Sequence, residues 1–264
     1  MDIQAIAREF LDARANRKEI EVPPSARDSA FDVNSAYAVE AEIARLRVAS
    51  GHKVSGRKVG YANKAMWRML KLDTLVWASM YDDTVHEKAE LSAGGFHSAK
   101  IEPEIAFKLK SAVPAGADAA GALAAVEWMA LGFEIIDCPF PDWKFQPADF
   151  VAAWGLHAAL LLGEPRHVDP AAIPELAEML ASFKLRLSKD GDLVEEGSGK
   201  NVLRSPALCL AELAAAASRR GDPLRPGELI STGQLTSAQA IASGEVWRAE
   251  ADGLPVAALE LRLT

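Results

Sequence analysis

Cysteine is scarce in this sequence: Cys138 and Cys209 are the two present among 264 residues. They stand far apart in apolar company, so a disulfide framework has no support and buried, reduced thiols in a reducing compartment are expected. Long apolar runs are missing too, and no stretch is long enough to span a bilayer. The opening residues MDIQAIAREFLDARANR carry acidic groups and helical spacing where a secretory signal needs an uninterrupted apolar segment, so a cytoplasmic location without membrane contact is expected. Positive charge is in deficit, with 29 Lys and Arg against 37 Asp and Glu and a net charge of -8. With no basic patch, nucleic acid and anionic membrane are excluded as non-specific partners. The five histidines form no ligand spacing, and no Ser-His-Asp ordering, nucleophile elbow, phosphate loop or dinucleotide fingerprint appears. Most common hydrolase and nucleotide readings fall with them. Internal repeats, low-complexity tracts and regular strand-helix alternation are also absent, which argues against a doubly wound sheet.

What is present is a chain half hydrophobic, enough for one large single-core domain or a main domain with a small appendage. Ile3, Ile6, Ala7, Phe10 and Leu11 recur at helical spacing. A second helix is expected over residues 35–49, with Val39, Ile43 and Leu46 inward, Asn34-Ser35 as its start and Gly51 as its stop. Residues 1–52 therefore read as a helical cap on a catalytic domain of residues 53–264. From Lys53 the pattern turns to strands: KVSGRKVGY, then a brief helix in KAMWRML, then TLVWASMYDDTV, AKIEPEIAFKL, LGFEIIDCPF and AWGLHAALLLGE. An alanine-rich helix is expected over 118–130 and one long helix over 206–218. FKLRLSKDGDLVEEG and VWRAEADGLPVAALELRL each hold two alternating runs joined by Asp-Gly, a hairpin signal.

In AKIEPEIAFKL, Ile101, Ile105 and Phe107 alternate with Glu102, Glu104 and Lys108, so both carboxylates point to one face. Such a pair is a solvated sheet face or half of a cage for a hard cation such as Mg²⁺ or Mn²⁺, which takes two or three carboxylates with water and substrate oxygens. Glu134, the one charge within Phe133, Ile135 and Ile136, is the best third ligand, and Asp137 is its competitor. The two face opposite sides of a regular strand, so one alone can join. Lys58, between the glycines of GRKVG, can pair with a substrate carboxylate or an enolate oxygen, or can be a surface lysine with a snorkelling stem. The segment EGSGKNV offers backbone donors around Gly199, with Lys200 beside them, to an anion. His157, in an apolar run, reads as a satisfied core histidine.

GRKVGYANKAMWRML, KIEPEIAFKL, GFEIIDCPF, GSGKNVLRSPALCLAELA and PGELISTGQLTSAQAIASGE, in this order, resemble the fumarylacetoacetate hydrolase superfamily. Within it they are most similar to the branch of 2-keto-4-pentenoate hydratases and 4-oxalocrotonate decarboxylases. The resemblance implies an α+β fold, a mixed β-sheet roll, and homo-oligomers. It also implies Mg²⁺ or Mn²⁺ on Glu102, Glu104 and Glu134, with Lys58 as the lysine of the G-x-K-x-G segment. Gly199, Lys200 and Thr232 fall in its substrate-binding segments. Hydratase relatives carry an aspartate in a segment of the F-A-D-M type where this chain reads Trp77, Ala78, Ser79, Met80. Ser79 cannot act as an ionised base, which leaves it as a substrate contact and makes Asp82 and Asp83 the candidates for proton transfer.

The expected function is a Mg²⁺-dependent hydratase acting on 2-hydroxypenta-2,4-dienoate-like acids through an enolate held at the metal. A decarboxylase of the 4-oxalocrotonate type, a carbon-carbon hydrolase of a diketo acid and a non-catalytic keto-acid binder are the alternatives. Hydration and decarboxylation share one electron sink and differ in what the distal end of the pocket binds.

Overall fold

The computed structural model describes residues 1–264, and its first fifty follow helical periodicity. Helix α1 (Ile3–Asn16) starts where the Asp2 carboxylate accepts the Ala5 N–H, ends where Arg17 turns left-handed, and buries Ala7, Phe10 and Ala13. A short α2 (Pro24–Arg27) leads to α3 (Val33–Ala49). The latter begins two residues before the expected start, because Asp32 rather than Asn34 caps it by accepting the Ser35 N–H at 2.8 Å.

Strand β1 (Val54–Gly60), helix α4 (Lys64–Leu70) and strands β2 (Val76–Tyr81), β3 (Val85–His86), β4 (Glu90–Leu91) and β5 (Ala99–Leu109) follow. Helix α5 then spans only Ala119–Ala124, and β6 (Val126–Asp137) takes over residues expected to be helical. The alanine run ends at Ala125, and from Val126 onward the chain pairs with β5 through to Asp137, so sheet pairing overrides local helix propensity. Helix α6 (Pro147–Ala152), β7 (His157–Leu162), β8 (Arg166–His167), α7 (Ile173–Ser182), β9 (Lys184–Lys189), β10 (Asp192–Ser198) and α8 (Pro206–Arg219) come next. The back half therefore carries α7 as well as the expected long helix α8. Strands β11 (Leu229–Ser231), β12 (Gln239–Ala240), β13 (Val246–Asp252) and β14 (Leu259–Leu263) complete the chain. Asp190 and Gly191, both at positive φ, turn β9 into β10 as the Asp-Gly signal indicates. β13 and β14 also pair, but across a longer loop in which Pro255 follows Gly253 and delays the return strand.

The strands form a nine-stranded sheet, ordered β2-β1-β11-β5-β6-β7-β3 with β12 on β5 and β8 on β6, and a five-stranded sheet ordered β10-β9-β13-β14-β4. Parallel pairs (β1 with β11, β3 with β7, β14 with β4) mix with antiparallel ones. This is the expected α+β, mixed-sheet architecture with helices at its N-terminal end. The β5–β6 ladder pairs Ile101 with Ile135, Pro103 with Phe133 and Ile105 with Leu131 on one face. The Ile, Leu and Phe side chains among them belong to the main core, which also holds Cys209. Its other face pairs Lys100 with Ile136, Glu102 with Glu134 and Glu104 with Gly132. A second core joins α1, α3 and α6 around Cys138 and Phe140, with Phe10 edge-on to Phe140 at 6.0 Å. Both cysteines are buried and free, and no helix is long and apolar enough to cross a membrane.

Close approach of β1 to β11 requires glycine at position 56, since a Cβ there would meet the Leu229 carbonyl oxygen at 1.8 Å. That neighbour is sheet backbone and cannot rotate away. Gly56→Ala is expected to cost at least about 1–3 kcal/mol of stability, read as a lower urea midpoint at unchanged slope. An unaltered midpoint would show that β11 can yield.

Candidate metal centre

Glu102 and Glu134 face each other across the β5–β6 ladder, and Glu104 follows two residues on along the same face. Their carboxylate oxygens lie within 4.8 Å of one another. All are buried: Glu104 and Glu134 are 0% exposed and Glu102 7%. Asp137, on the opposite face, accepts the His97 and Ser98 N–H groups at 3.0 and 2.7 Å and takes no part. β1 contributes Lys58, 2% exposed, whose Nζ lies 2.9 Å from Glu134 Oε2 and donates to the Gly155 carbonyl at 2.9 Å. Gly155 holds φ +60° with its Cα against the Lys58 stem, where a Cβ would meet Lys58 Cδ at 2.7 Å.

Further groups fix these carboxylates in place. Glu104 Oε2 accepts the Ser231 hydroxyl and, at 2.9 Å, the Gly233 N–H. Glu134 Oε1 lies 2.8 Å from His157 Nδ1, and His157 Nε2 lies 3.0 Å from the Thr84 hydroxyl. An ionised Glu134 requires the proton on Nδ1, and Nε2 then accepts from Thr84. Burial, with Arg14 and Lys58 nearby, holds the His157 pKa well below the ordinary imidazole value, so the ring is neutral. It is buried and satisfied, as its apolar run indicates, and what satisfies it is Glu134.

Three carboxylates against one ammonium leave two uncompensated negative charges. Burial and the neighbouring carboxylates, opposed by Lys58, push Glu102 and Glu104 up to about 8, and burial, opposed by Lys58, raises Glu134. Burial opposes the Lys58 charge, but Glu134, Glu102 and Glu104 outweigh it and lift its pKa above the ordinary lysine value. Glu104 Oε1 is buried without a hydrogen-bond partner, and Glu134 Oε2 faces only the Lys58 ammonium. Three hard oxygen donors, with Glu104 Oε1 left unpartnered, around a deficit of two charges when ionised fit one divalent cation of the Mg²⁺ or Mn²⁺ type.

Beside these carboxylates opens a cavity of about 500 Å³ that reaches Lys58 and Glu102 and is walled by Tyr61, Phe145 and Phe150. Residues 49–262 match the family model described as fumarylacetoacetate (FAA) hydrolase, C-terminal. The chain belongs to the fumarylacetoacetate hydrolase family. It is 32% identical over 232 residues to a 2-hydroxyhexa-2,4-dienoate hydratase of Comamonas testosteroni, covering 86% of each chain. It is 29% identical over 255 residues to a 4-oxalocrotonate decarboxylase of a Pseudomonas species, covering 96% of each. Among solved structures, the 4-oxalocrotonate decarboxylase from Pseudomonas putida G7, complexed with magnesium and adipate, superposes with a TM-score of 0.89 over 99% of this chain and 97% of its own, at 24% identity.

Within this family member the other expected site residues lie elsewhere. Asp82 and Asp83 are exposed on the turn after β2, where Asp82 accepts the Lys53 N–H at 3.1 Å and pairs with His52 at 3.4 Å, and Asp83 pairs with Arg47. The turn carries them out of the cavity. Ser79 sits on the far face of β2 opposite Arg57, its N–H on Glu40 at 2.9 Å, because Ala78 takes the face shared with Lys58. Gly199 packs its Cα under the Leu180 carbonyl, and Lys200 points to solvent, leaving Asn201 on the cavity wall. Thr232 donates to the Ile105 carbonyl at 2.9 Å, and the next residue, Gly233, lines the cavity instead. Ser231, Gly233, Asn201 and Lys100 escaped the sequence reading; for Lys100 the same-face spacing from Glu102 was the available signal.

Two outcomes follow for the metal centre. At about pH 9, where Glu104 is ionised, Glu104→Gln removes one uncompensated buried charge, so the metal-free variant should melt at or above the wild type while the Mg²⁺-induced rise in Tm is lost; a retained rise would place the cation elsewhere. The raised carboxylate pKa values mean that, between the ordinary carboxylate range and about 8, the metal-free fold binds more protons than the unfolded chain. Its stability therefore falls as pH rises through that window, and Mg²⁺ must displace those protons. The Mg²⁺-induced Tm gain should be larger at about pH 9 than at about pH 6, with proton release on binding visible as buffer-dependent heat in calorimetry. Equal gains and no release would contradict the assignment.

Proposed function

We propose that the protein is a Mg²⁺- or Mn²⁺-dependent hydro-lyase acting on short 2-hydroxydienoic or 2-oxo-enoic acids, of the 2-keto-4-pentenoate hydratase type. The observation that carries this reading is the cluster of three buried glutamates, whose ionised charges Lys58 alone does not balance, beside an apolar-walled cavity that Glu102 and Lys58 line. The hydratase of Comamonas testosteroni, 32% identical, supports the substrate class. Helical residues 1–52 stand as a cap on the catalytic domain 53–264, a division supported by the family match at 49–262. A homo-oligomer in the cytoplasm is the expected setting.

Glu102, Glu104 and Glu134 would hold the cation. When bound, it supplies a Lewis acid that draws electron density from the carboxylate and C2 oxygen of a 2-oxo acid. Lys58 has three N–H donors and directs one to the Gly155 carbonyl and another toward Glu134, so its third is available to a substrate oxygen or to a carbon accepting a proton. The Gly155 carbonyl fixes Nζ in position for that transfer. Tyr61, Phe145 and Phe150 line the cavity with apolar surface beside Lys58 and Glu102, which lowers the local polarity and strengthens charge interactions there.

Decarboxylation of a 4-oxalocrotonate-type acid is the second reading, supported by the Pseudomonas relative that this chain matches over 96% of both lengths. Hydrolysis of a diketo acid, which needs a base to activate water, finds no support. No histidine lines the cavity, and His157 has both ring nitrogens engaged.

Mass spectrometry of the products from 2-hydroxypenta-2,4-dienoate and from 4-oxalocrotonate, each with Mg²⁺ and with EDTA, tests these readings. A Mg²⁺-dependent gain of water on the first is expected, whereas loss of carbon dioxide from the second without hydration of the first would replace the hydratase by the decarboxylase. Neither change would overturn both.

A further inference from the structure

A second cavity, of about 570 Å³, opens between α1, α3 and the ends of β6 and β7. The chain carries a net charge of -8, yet this wall is positive: Arg14, Arg17, Lys18 and Arg47 stand against one carboxylate, Asp137. That carboxylate already accepts the His97 and Ser98 N–H groups. Lys18 pairs with Asp12 and Arg47 with Asp83, neither of which lines the cavity. Arg14 and Arg17 have backbone carbonyls alone. Arg14 donates to those of His157 and Ala158, which leaves three of its five N–H groups free, and Arg17 donates to that of Gly94 at 2.6 Å. Two guanidinium charges in this wall therefore have no counter-ion.

The indole of Trp154 is buried, with the Arg14 and Arg47 guanidinium carbons 4.3 and 5.3 Å from its centroid. Its Nε1 and the Arg47 Nε are both buried without a hydrogen-bond partner, which is costly for N–H donors. Phe10, Leu46 and Phe96 supply apolar wall. The turn that carries Trp154 also serves the metal centre. Trp154, Gly155 and Leu156 hold φ of 57°, 60° and 58°, a left-handed run strained at its two non-glycine residues. Trp154 lines this cavity, Leu156 lines the one beside the glutamates, and the Gly155 carbonyl accepts from Lys58. His157 follows, with its carbonyl on Arg14 and its ring on Glu134. A molecule held by Arg14 and Trp154 therefore bears on the turn that positions Lys58 and Glu134.

We propose that this cavity is an effector site for a small aromatic monocarboxylate, whose carboxylate sits on Arg14 and whose ring packs against the apolar wall, and that its occupancy favours binding of the divalent cation. A planar guanidinium with free N–H groups matches the two oxygens of a carboxylate. A flat apolar body covers Phe10, Leu46 and Phe96, which an inorganic anion would leave uncovered, and the volume is that of a small-molecule site. Filling the cavity holds the turn in its left-handed form, with the Gly155 carbonyl on Lys58 and His157 on Glu134, so ligand and cation reinforce each other. The site stands apart from the hydro-lyase reading, whereas the coupling rests on the metal centre.

The test measures calorimetric affinities of the full chain for 2-naphthoate, for 2-naphthylmethanol, which keeps the rings without the charge, and for inorganic phosphate, all in EDTA so that no metal can chelate the acid. Naphthoate should bind about tenfold to a hundredfold more tightly than the alcohol, and more tightly than phosphate. Arg14→Met should abolish the preference over the alcohol, while Lys100→Met, in the wall of the other cavity, should leave it unaltered. Should Arg14→Met lose its cooperative melt, Leu46→Glu, which sets a negative charge in the wall, replaces it under the same criteria. Equal affinities for acid and alcohol, or a preference that survives Arg14→Met, would overturn the site, and phosphate binding as tightly as naphthoate would overturn the aromatic class. With Mg²⁺ restored, saturating naphthoate should raise Mg²⁺ affinity about fivefold or more, an effect lost in Arg14→Met, which separates it from direct chelation. An unchanged Mg²⁺ affinity would overturn the coupling. Absence of any Mg²⁺ binding would overturn the metal centre and the coupling together, with the EDTA comparison still deciding the site.

Discussion

Three carboxylates and one ammonium share a space from which water is excluded, and their charges do not cancel. Charge buried at that density is tolerated only when other groups hold it and a further cation, or protons in its place, neutralises it. Much of the local structure answers this requirement. Ser231 and Gly233 approach Glu104 from β11 and the loop beyond it, His157 braces Glu134 from β7, and the Gly155 carbonyl takes a proton of Lys58. The mixed order of the large sheet is what brings them together, since β11 lies between β1 and β5, and β6 between β5 and β7.

The ladder of β5 and β6 separates two incompatible environments by one peptide width. Its inward face contributes isoleucine, leucine and phenylalanine to the main core, while the outward face carries the three glutamates. A slip of one residue would drive three carboxylates into the hydrophobic core and expose the apolar set, so the ligand geometry and the stability of the domain select the same register. The protein's overall acidity also ceases to conflict with acidic substrates, because the potential that matters is the local one set by the bound cation and the lysines around the cavity.

Period-two alternation was enough to place Glu102 and Glu104 together, and the isolation of Glu134 among apolar neighbours identified the third carboxylate over Asp137. Lys58 was marked by its flanking glycines. These signals survive because strand geometry is regular, so spacing alone determines facing. Loops offer no such rule. Asp82 and Asp83 read as replacements for a missing aspartate until the turn after β2 carried them to the surface, and Lys200 and Thr232 each fell one residue from the wall formed by Asn201 and Gly233. The alanine-rich stretch after Asp118 misled for another reason: local helix propensity gave way at Val126 to pairing with β5, a contact no window of sequence contains. Helix α7 escaped for lack of a strong start signal, Ala172 making no side-chain cap.

All three carboxylates come from one strand pair, and that pair is already tied by its own continuous ladder and by a hydrophobic core behind it. A cation seated there bridges nothing that would otherwise drift apart, unlike one that staples distant segments or nucleates a small domain. Its departure leaves the carboxylates repelling one another until protons replace it, while the ladder and the core behind it keep the strand pair together. The ion is therefore an exchangeable component, in equilibrium with the surrounding pool on the timescale of ligand dissociation rather than of unfolding, and occupancy of the centre follows the free divalent-ion concentration of the compartment.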